Sequence, residues 1–288
     1  MKKKVIFLTA YSSKIGYGHF IRCLNFSKVI TNKYSNITLY TISTDIKNKI
    51  TKNIKITNFK TKKKENFNIL KDLKNSIVII DFPKKYLNQY EFLKIKNKLI
   101  LIDNYIKHKN CYTIYPTIIP FKKKDQSYGG KNWIILNPKI NKIRIKQTKE
   151  IDRALILYGG SLLPSKKIIL HFKNLFLNYL FVLGPLVNND KIKFFKKNKI
   201  NYVKNPKDFF TLIASSKYIF TRYGISMYEA LSLRKKPIVF IQNEKNKRKK
   251  EILFLMRNKI IDIFYLNKNI FKSKFNPKIE IKLNKEVI

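Results

Sequence analysis

The sequence predicts an α/β protein with two doubly wound, Rossmann-like domains that face each other across a cleft. Short runs of β-branched and large apolar residues alternate with segments of helical spacing along the chain. These runs are almost continuously apolar, which is typical of parallel strands buried on both faces. Strands that alternate with helices indicate βαβ units with right-handed crossovers. Ligands of such sheets bind beyond the C-terminal ends of the strands, so the loops at those ends are the candidate site.

The first domain is expected to span residues 1–140. Its predicted strands are the apolar runs Val5–Leu8, Ile37–Ile42, Ile77–Ile80, Leu99–Ile102 and Tyr112–Ile114. The segment Asn137–Glu150 begins with Asn-Pro, is charged and has few large side chains, so we predict a linker there.

The second domain is expected to span residues 151–266 and to repeat the pattern. Its predicted strands are Ala154–Leu157, Leu180–Leu183, Asn201–Val203, Tyr218–Phe220, Pro237–Ile241 and Ile263–Tyr265. Its predicted helices are Ser165–Phe176, Asp208–Ala214, Ser226–Leu233 and Lys249–Asn258. Residues 267–288 form a basic tail that is rich in lysine and weakly patterned.

The composition allows two cores and raises a question about partners. The chain has 288 residues, is 44% hydrophobic and carries a formal net charge of +45. Nucleic acid is one explanation of that charge, because phosphate neutralisation drives its binding. However, nearly all of the charge is lysine spread along the chain, whereas arginine is preferred for recognising phosphates and bases. Abundant Lys, Asn and Ile favour the composition of an AT-rich genome over a specific nucleic-acid site, with weak attraction to anionic membranes or polymers as a side effect.

Three features predict a soluble protein of the reducing cytoplasm. Cys23 and Cys111 are the two cysteines of the chain, too few for a disulfide framework. The start, Met1–Lys4, resembles that of a signal peptide, but the six residues between it and Tyr11 are too few for an apolar core. No stretch approaches the roughly 18 apolar residues that a membrane span needs.

The loop after the first predicted strand offers a base beside an anion cradle. Gly16 and Gly18 let the backbone approach a ligand, and the helix that follows directs its N-terminal N–H groups at the same point. His19 lies in the first helical turn, where the positive end of the helix dipole favours the neutral imidazole that a general base requires. Arg22 shares the helix face and is expected to add a positive charge to the site. The alternative is a tight strand–helix turn with a surface histidine as a cap.

Two further loops follow predicted strands of the second domain. Gly159, Gly160 and Ser161 are suited to admit and bind a diphosphate, or else form only a tight turn. In the other loop, Arg222, Gly224 and Ser226 offer phosphate donors, and Glu229, one turn into the helix, is suited to accept hydrogen bonds from a ribose. The alternative there is a capping box, in which Ser226 is the N-cap and Glu229 reaches back to it.

Two aspartates also end predicted strands of the first domain. Asp81 and Asp103 follow directly after buried apolar runs. Each is expected either to line the cleft or to cap the element that follows it.

Together these loops resemble a known family. The pattern Ser-Ser-x-Ile-Gly-x-Gly-His-x-x-Arg, ending at Arg22, resembles the N-terminal signature of the nucleotide-sugar hydrolase of pseudaminic acid synthesis and its relatives in spore-coat polysaccharide synthesis. The pattern Gly-x-Ser-x-Tyr-Glu, ending at Glu229, followed by Leu-x-x-x-Lys-Pro, resembles the donor-site motif of the same group. The motifs keep the family's order over residues 1 to about 265.

The resemblance implies a GT-B-like fold and an enzyme that hydrolyses a UDP-activated amino sugar in cell-surface glycan synthesis. By position it implies that His19 is the base that activates water, and that Gly16 and Gly18 form its turn. It also implies that Gly159 and Gly160 contact the diphosphate, and that Ser226 and Glu229 bind phosphate and ribose. Neither a metal nor another cofactor is implied, because backbone donors and helix ends neutralise the diphosphate.

Three positions depart from the hydrolase pattern. Asp81 is followed by Phe82 and Pro83 where the hydrolases typically have histidine and tyrosine. The second glycine loop continues with Ser161 and Leu162 instead of threonine and aspartate, and Asn137 stands where the family often has arginine. Arg222, ahead of the donor-site glycine, also occurs in the transferase group of peptidoglycan synthesis. The alternative is therefore a glycosyltransferase that uses a UDP-sugar donor and a glycan or lipid-linked acceptor.

Overall fold

A computed structural model of the chain describes residues 4–12, 15–31, 33–42, 49–51, 54–59, 70–123, 125–145, 149–160, 163–241 and 249–265. Its strands form two sheets, and each sheet is built from one half of the chain. Ser161 and the basic tail lie outside the described residues. Within the described part, no helix combines the length and the apolar character that crossing a membrane requires.

The first sheet has eight strands in the order β3-β4-β2-β1-β5-β6-β7-β8. They are β1 Val5–Ala10, β2 Ile37–Ile42, β3 Lys49–Thr51, β4 Ile54–Phe59, β5 Ile77–Asp81, β6 Lys98–Ile102, β7 Cys111–Tyr115 and β8 Ser127–Gly129. Every pairing is parallel except that of β3 with β4. Helix α1 (Gly18–Ile30) follows β1, and 3₁₀ segments cover Lys84–Lys94 and Lys131–Trp133.

The second sheet has six parallel strands in the order β11-β10-β9-β12-β13-β14. They are β9 Ile151–Leu157, β10 Tyr179–Leu183, β11 Tyr202–Lys204, β12 Ser216–Arg222, β13 Pro237–Ile241 and β14 Asp262–Tyr265. The helices are α2 Lys139–Ile145, before the sheet, then α3 Lys166–Leu175, α4 Asn189–Lys197, α5 Phe209–Ser215, α6 Ile225–Ser232 and α7 Lys249–Arg257.

Both sheets reverse their strand order at a central strand. In the first sheet, β1 lies between β2 and β5, and in the second, β9 lies between β10 and β12. Such a reversal opens a crevice at the C-terminal ends of the two central strands, where doubly wound sheets bind ligands. The predicted fold class, two parallel α/β sheets of Rossmann type, is confirmed.

The burial of β1 explains its almost unbroken apolar sequence. All six of its residues are buried, and alternate side chains enter different clusters. Val5 and Phe7 pack toward α1, whereas Ile6 and Leu8 pack in the cluster on the other side. Continuous hydrophobicity is what a strand covered on both faces requires.

The structure contains elements that the sequence did not predict. Strands β3, β4 and β8 extend the first sheet beyond the five predicted strands. The predicted linker Asn137–Glu150 contains α2 (Lys139–Ile145). Ile140 is 2% exposed and packs with Leu155 and Ile213 of the second half, so tertiary packing stabilises a helix that its charged sequence does not announce.

Two residues between β7 and α2 also pack against the second half. Ile118 and Ile134 pack against an apolar cluster of the second half that includes Met227 and Ile252. The predicted domain limits of 1–140 and 151–266 stay a prediction, and the chain between the two sheets is in contact with the second sheet's helices.

Candidate active site

The first glycine loop connects β1 to α1 at the point where the first sheet reverses its strand order. The loop is closed by the Gly16 N–H, which donates to the Ser12 carbonyl over 2.8 Å. Gly16 has a φ of 90°, a conformation that favours glycine. Helix α1 then begins at Gly18, and its N-cap, Tyr17, provides no side-chain hydrogen bond to the first turn. The first N–H groups of α1 are therefore not capped by that side chain.

His19 is held by a buried carboxylate at the end of the neighbouring strand. Its Nδ1 lies 2.7 Å from Oδ1 of Asp81, the last residue of β5, and Asp81 is 0% exposed. Because a carboxylate only accepts hydrogen bonds, Nδ1 carries the hydrogen, and Nε2 of the neutral ring keeps the lone pair of a base. The structure therefore contradicts the alternative that His19 is merely a surface cap.

Arg22 binds the same carboxylate with two parallel hydrogen bonds. Its Nε and Nη2 donate to Oδ2 and Oδ1 of Asp81 over 2.6 and 2.7 Å, and its Nη1 donates to Oδ2 of Asp103 over 2.8 Å. Asp103 follows β6 with a φ of 57°, which is uncommon for a residue other than glycine. The positive φ at Asp103 fits a functional position, where backbone strain is often stored.

The charges of this cluster stabilise one another. Burial opposes ionisation of Asp81, but Arg22 and His19 together hold the pKa of that carboxyl below its ordinary value. Burial likewise opposes the charged form of Arg22, and the two carboxylates nevertheless raise its pKa. We call His19, Arg22, Asp81 and Asp103 the histidine–aspartate cluster.

The cluster corrects one expectation and answers another. Arg22 was expected to offer its charge to an anionic ligand, but three of its N–H groups donate to Asp81 and Asp103. Its charge is therefore balanced within the protein. The two aspartates were expected either to line the cleft or to cap an element, and both instead bind the arginine of α1.

The second glycine loop touches the first one. A Cβ placed on Gly160 would lie 2.3 Å from Cβ of Tyr17, and one placed on Gly184 would lie 2.3 Å from the Gly160 carbonyl oxygen. The Leu186 N–H donates to that same carbonyl over 3.0 Å. Gly160 is therefore the position at which the two halves meet too closely for any side chain. Gly159 has a φ of 113° and open space beside it.

The third loop begins α6 with a glycine, not with a serine cap. The N-cap is Gly224, with a φ of 150°, so Ser226 lies inside the first turn and the alternative of a Ser226–Glu229 capping box is wrong. A Cβ on Gly224 would meet nothing within 4 Å, and one on Gly18 would lie 4.0 Å from Cδ1 of Ile225. The N-termini of α1 and α6 therefore lie close together.

Arg222 lies beside the same group of loops. Its guanidinium carbon is 5.5 Å from the ring centre of Tyr158, the residue that precedes Gly159. Arg222 thus joins the second and third loops. These contacts join the loop of Gly16 and Gly18, which precedes His19 and Arg22, to the loop of Gly159 and Gly160 and to that of Arg222 and Gly224. Ser226 and Glu229 lie on α6, which follows the third loop.

Glu229 is a buried acid on α6. It is 5% exposed. Burial raises the pKa of Glu229 to about 8. A carboxyl group with this pKa holds its proton at pH 7.

Sequence reasoning missed Tyr17. Tyr17 stands between Gly16 and Gly18, and an aromatic residue between two glycines of a loop is the signal that could have found it. Its ring is 5.0 Å from that of Tyr11 and 5.3 Å from that of Phe20. No group of three His, Cys, Asp or Glu side chains is placed to hold a metal ion in the part of the chain that the structure describes.

The raised pKa of Glu229 predicts how stability changes with pH. Between pH 4.5 and about 8 the folded protein keeps a proton that the unfolded chain releases, so the free energy of unfolding falls as pH rises. Glu229→Gln removes this loss. We expect the variant to match the wild type near pH 5 and to exceed it by on the order of 3 kcal/mol at pH 8 in urea unfolding. Glu91→Gln, at a side chain that is 40% exposed, is the control; identical pH profiles for wild type and Glu229→Gln would refute the assignment.

The contact between the glycine loops predicts the effect of one methyl group. Gly160→Ala forces its Cβ against Tyr17, so we expect a loss of about 1–3 kcal/mol in denaturant unfolding. Gly18→Ala is the matched control, because its Cβ meets Ile225 at an ordinary contact distance. In the background Tyr17→Gly, which lacks the opposing Cβ, Gly160→Ala should cause no loss of unfolding free energy. A loss as large as in the wild-type background would contradict the contact.

Comparison with known proteins identifies the fold. No family model matches the chain. Uncharacterized protein MJ1062 of Methanocaldococcus jannaschii is 29% identical over 280 residues, covering 84% of this chain and 56% of that protein. The chain thus spans about half the length of this curated relative.

One solved structure with a TM-score above 0.5 has the same architecture. The UDP-GlcNAc 2-epimerase of Methanocaldococcus jannaschii matches with a TM-score of 0.51 and 11% identity, over 92% of this chain and 89% of the epimerase. Anabaena HepE in complex with UDP matches with a TM-score of 0.46 and 10% identity, over 88% of this chain and 89% of HepE. The GT-B-like, two-sheet fold implied by the sequence resemblance is thereby confirmed.

Proposed function

We propose that the chain hydrolyses a UDP-activated amino sugar at its anomeric carbon, giving free sugar and UDP, in the synthesis of a cell-surface glycan of the pseudaminic or sialic-acid type. The observation that supports this most strongly is the His19–Asp81 pair at the N-terminus of α1, beside two more glycine loops. The sequence resemblance supplies the substrate class. The fold is also that of an epimerase whose name specifies a UDP-sugar.

His19 would act as the general base of the reaction. Its Nε2 takes a proton from water as the water oxygen bonds to the anomeric carbon, and the bond between that carbon and the phosphate oxygen breaks. The bonding pair leaves with UDP. Asp81 stabilises the imidazolium that forms and fixes the tautomer of the resting ring.

The second half would bind the nucleotide. The uncapped N–H groups at the start of α6, the backbone of Gly159 and Gly160, and Arg222 are suited to the diphosphate. Ser226, in the first turn of α6, would add a hydroxyl donor. The buried carboxyl group of Glu229 is suited to the ribose hydroxyls.

Sugar transfer is the second candidate function, and one residue favours it. Arg222 precedes Gly224, as in the transferase group of peptidoglycan synthesis, and lies over Tyr158 at the second loop. A neutral His19 would then take its proton from an acceptor hydroxyl in place of water. The geometry of the histidine–aspartate cluster serves both reactions equally.

We also propose a cytoplasmic location. Cys23 and Cys111 are both unpaired and buried, which fits a reducing compartment.

Replacement of the base should affect turnover more than binding. We expect His19→Asn to lower kcat by roughly 10²–10⁴, the range for a positioned acid or base, while UDP affinity measured by calorimetry stays within about twofold. His108→Asn, in the turn before β7, is the matched control, with unchanged kcat. A parallel fall in affinity and kcat for His19→Asn would make His19 a binding residue instead.

Isotope transfer distinguishes hydrolysis from transfer. A hydrolase must admit water to the anomeric carbon, whereas a transferase excludes water until its acceptor binds. Given a panel of UDP-activated amino sugars in oxygen-18 water and no acceptor, the protein is expected to release UDP and free sugar, with the label on the anomeric oxygen. Label on UDP would indicate attack at phosphorus and overturn the mechanism. Release only after an acceptor is added would establish the transferase.

A further inference from the structure

A buried chain of hydrogen bonds lies outside the histidine–aspartate cluster and joins the two halves of the protein. Glu251 of α7 accepts a hydrogen bond at Oε1 from Oγ1 of Thr117 over 2.7 Å. The same oxygen accepts from the hydroxyl of Tyr228 in α6. The Tyr228 hydroxyl is in turn 2.9 Å from that of Tyr223. We call these four residues the tyrosine–glutamate chain.

The direction of every bond in this chain is fixed. A carboxylate only accepts, so the Thr117 and Tyr228 hydroxyls both donate to Glu251, and Tyr228 must accept from Tyr223. The Ile119 N–H donates to the Thr117 oxygen over 3.2 Å, which orients that hydroxyl as well. Burial, Tyr223 and Glu251 all raise the pKa of Tyr228, so its proton stays in place.

The chain begins and ends at different parts of the molecule. Thr117 follows β7, the seventh strand of the first sheet. Tyr223 lies between Arg222 and Gly224, in the loop that begins α6. Helix α6 also carries Ser226 and Glu229. The tyrosine–glutamate chain thus connects the sheet that holds His19 to the loop that would hold the diphosphate.

Stability alone does not explain a carboxylate at this place. Glu251 and Tyr228 are each 7% exposed, and Tyr228 lies in an apolar cluster with Ile118, Ile134, Met227 and Ile252. Burying a charge costs free energy, and apolar residues of similar volume often serve packing as well or better. Oriented hydrogen bonds do what apolar contacts do not, because they fix distances and angles.

We propose that Glu251 is a positioning residue that sets the nucleotide-binding loop of α6 relative to the first half of the chain, acting through Tyr228 and Tyr223 on one side and Thr117 on the other. This inference rests on the proposed function, since it assigns the loop to a nucleoside diphosphate. Thr117 belongs to the first sheet's half and is not among the predicted site residues. The proposal therefore predicts that the Thr117 hydroxyl affects nucleotide binding, which the proposed function by itself does not.

The test measures UDP affinity by calorimetry in the full chain and in folded variants. We expect Thr117→Val and Tyr228→Phe each to weaken UDP binding by about three- to tenfold, the value of one hydrogen bond. Thr117→Ser keeps the hydroxyl and should restore affinity to within about twofold of the wild type. Tyr202→Phe, on β11 at the far edge of the second sheet, is the matched tyrosine control and should bind UDP normally.

The double variant Thr117→Val/Tyr228→Phe shows whether the two hydroxyls act as one chain. We expect it to bind UDP about as weakly as the weaker single variant, because either change breaks the same chain. Unchanged UDP affinity in both single variants, or a loss in the double variant equal to the product of the single losses, would overturn the inference and leave the proposed function intact. A wild-type chain that binds neither UDP nor any UDP-sugar would overturn both.

Discussion

The buried carboxylate of Asp81 is the group on which the site depends. It ends β5 at the reversal of the first sheet, and it accepts hydrogen bonds from both His19 and Arg22 of α1. Arg22 extends the connection to Asp103 after β6. One helix and two strand ends are thereby fixed by four charge-assisted hydrogen bonds. Removing one partner of such a buried pair typically costs about 3–5 kcal/mol, because a charge is left uncompensated. The orientation of His19 and the stability of the C-terminal ends of β5 and β6 therefore depend on the same hydrogen bonds.

Close approach of backbone to backbone is the second constraint. Gly184 lies against Gly160, and Gly160 lies against Tyr17, so two loops from different halves meet where no Cβ fits. Leu186, from the loop after β10, packs into the apolar cluster around α1. The N-terminus of α6 comes near that of α1 through Ile225 and Gly18. These contacts place the N-terminus of α1, which carries His19, beside the glycine loops of the second half, an arrangement that neither half provides alone.

Local signals in the sequence were sufficient for the central strands and for the glycine loops. Buried parallel strands need continuous apolar residues, and a loop that approaches a ligand or another loop needs glycine, so both leave a trace in the sequence. The pairing of Arg22 with Asp81 and Asp103 could not be predicted from local sequence. The two aspartates are 59 and 81 residues away, and either one alone is an ordinary strand end. The capping box at Ser226 was a reasonable local pattern, but α6 begins one residue earlier at Ile225. Helix α2 was missed because its stability comes from Ile140 packing on the second sheet, a contact that local sequence does not encode.

The two halves of the chain carry different charges at the candidate site. In the histidine–aspartate cluster one guanidinium faces two carboxylates, so the group is net negative while His19 is neutral. A net negative cluster disfavours a diphosphate beside it. In the proposed function the diphosphate is therefore held by the second half, where Arg222 and the N-terminus of α6 are positive and burial raises the pKa of Glu229 to about 8. Arg22 is thus balanced by Asp81 and Asp103, and in the proposed function the positive charge that a phosphate needs comes from the second half.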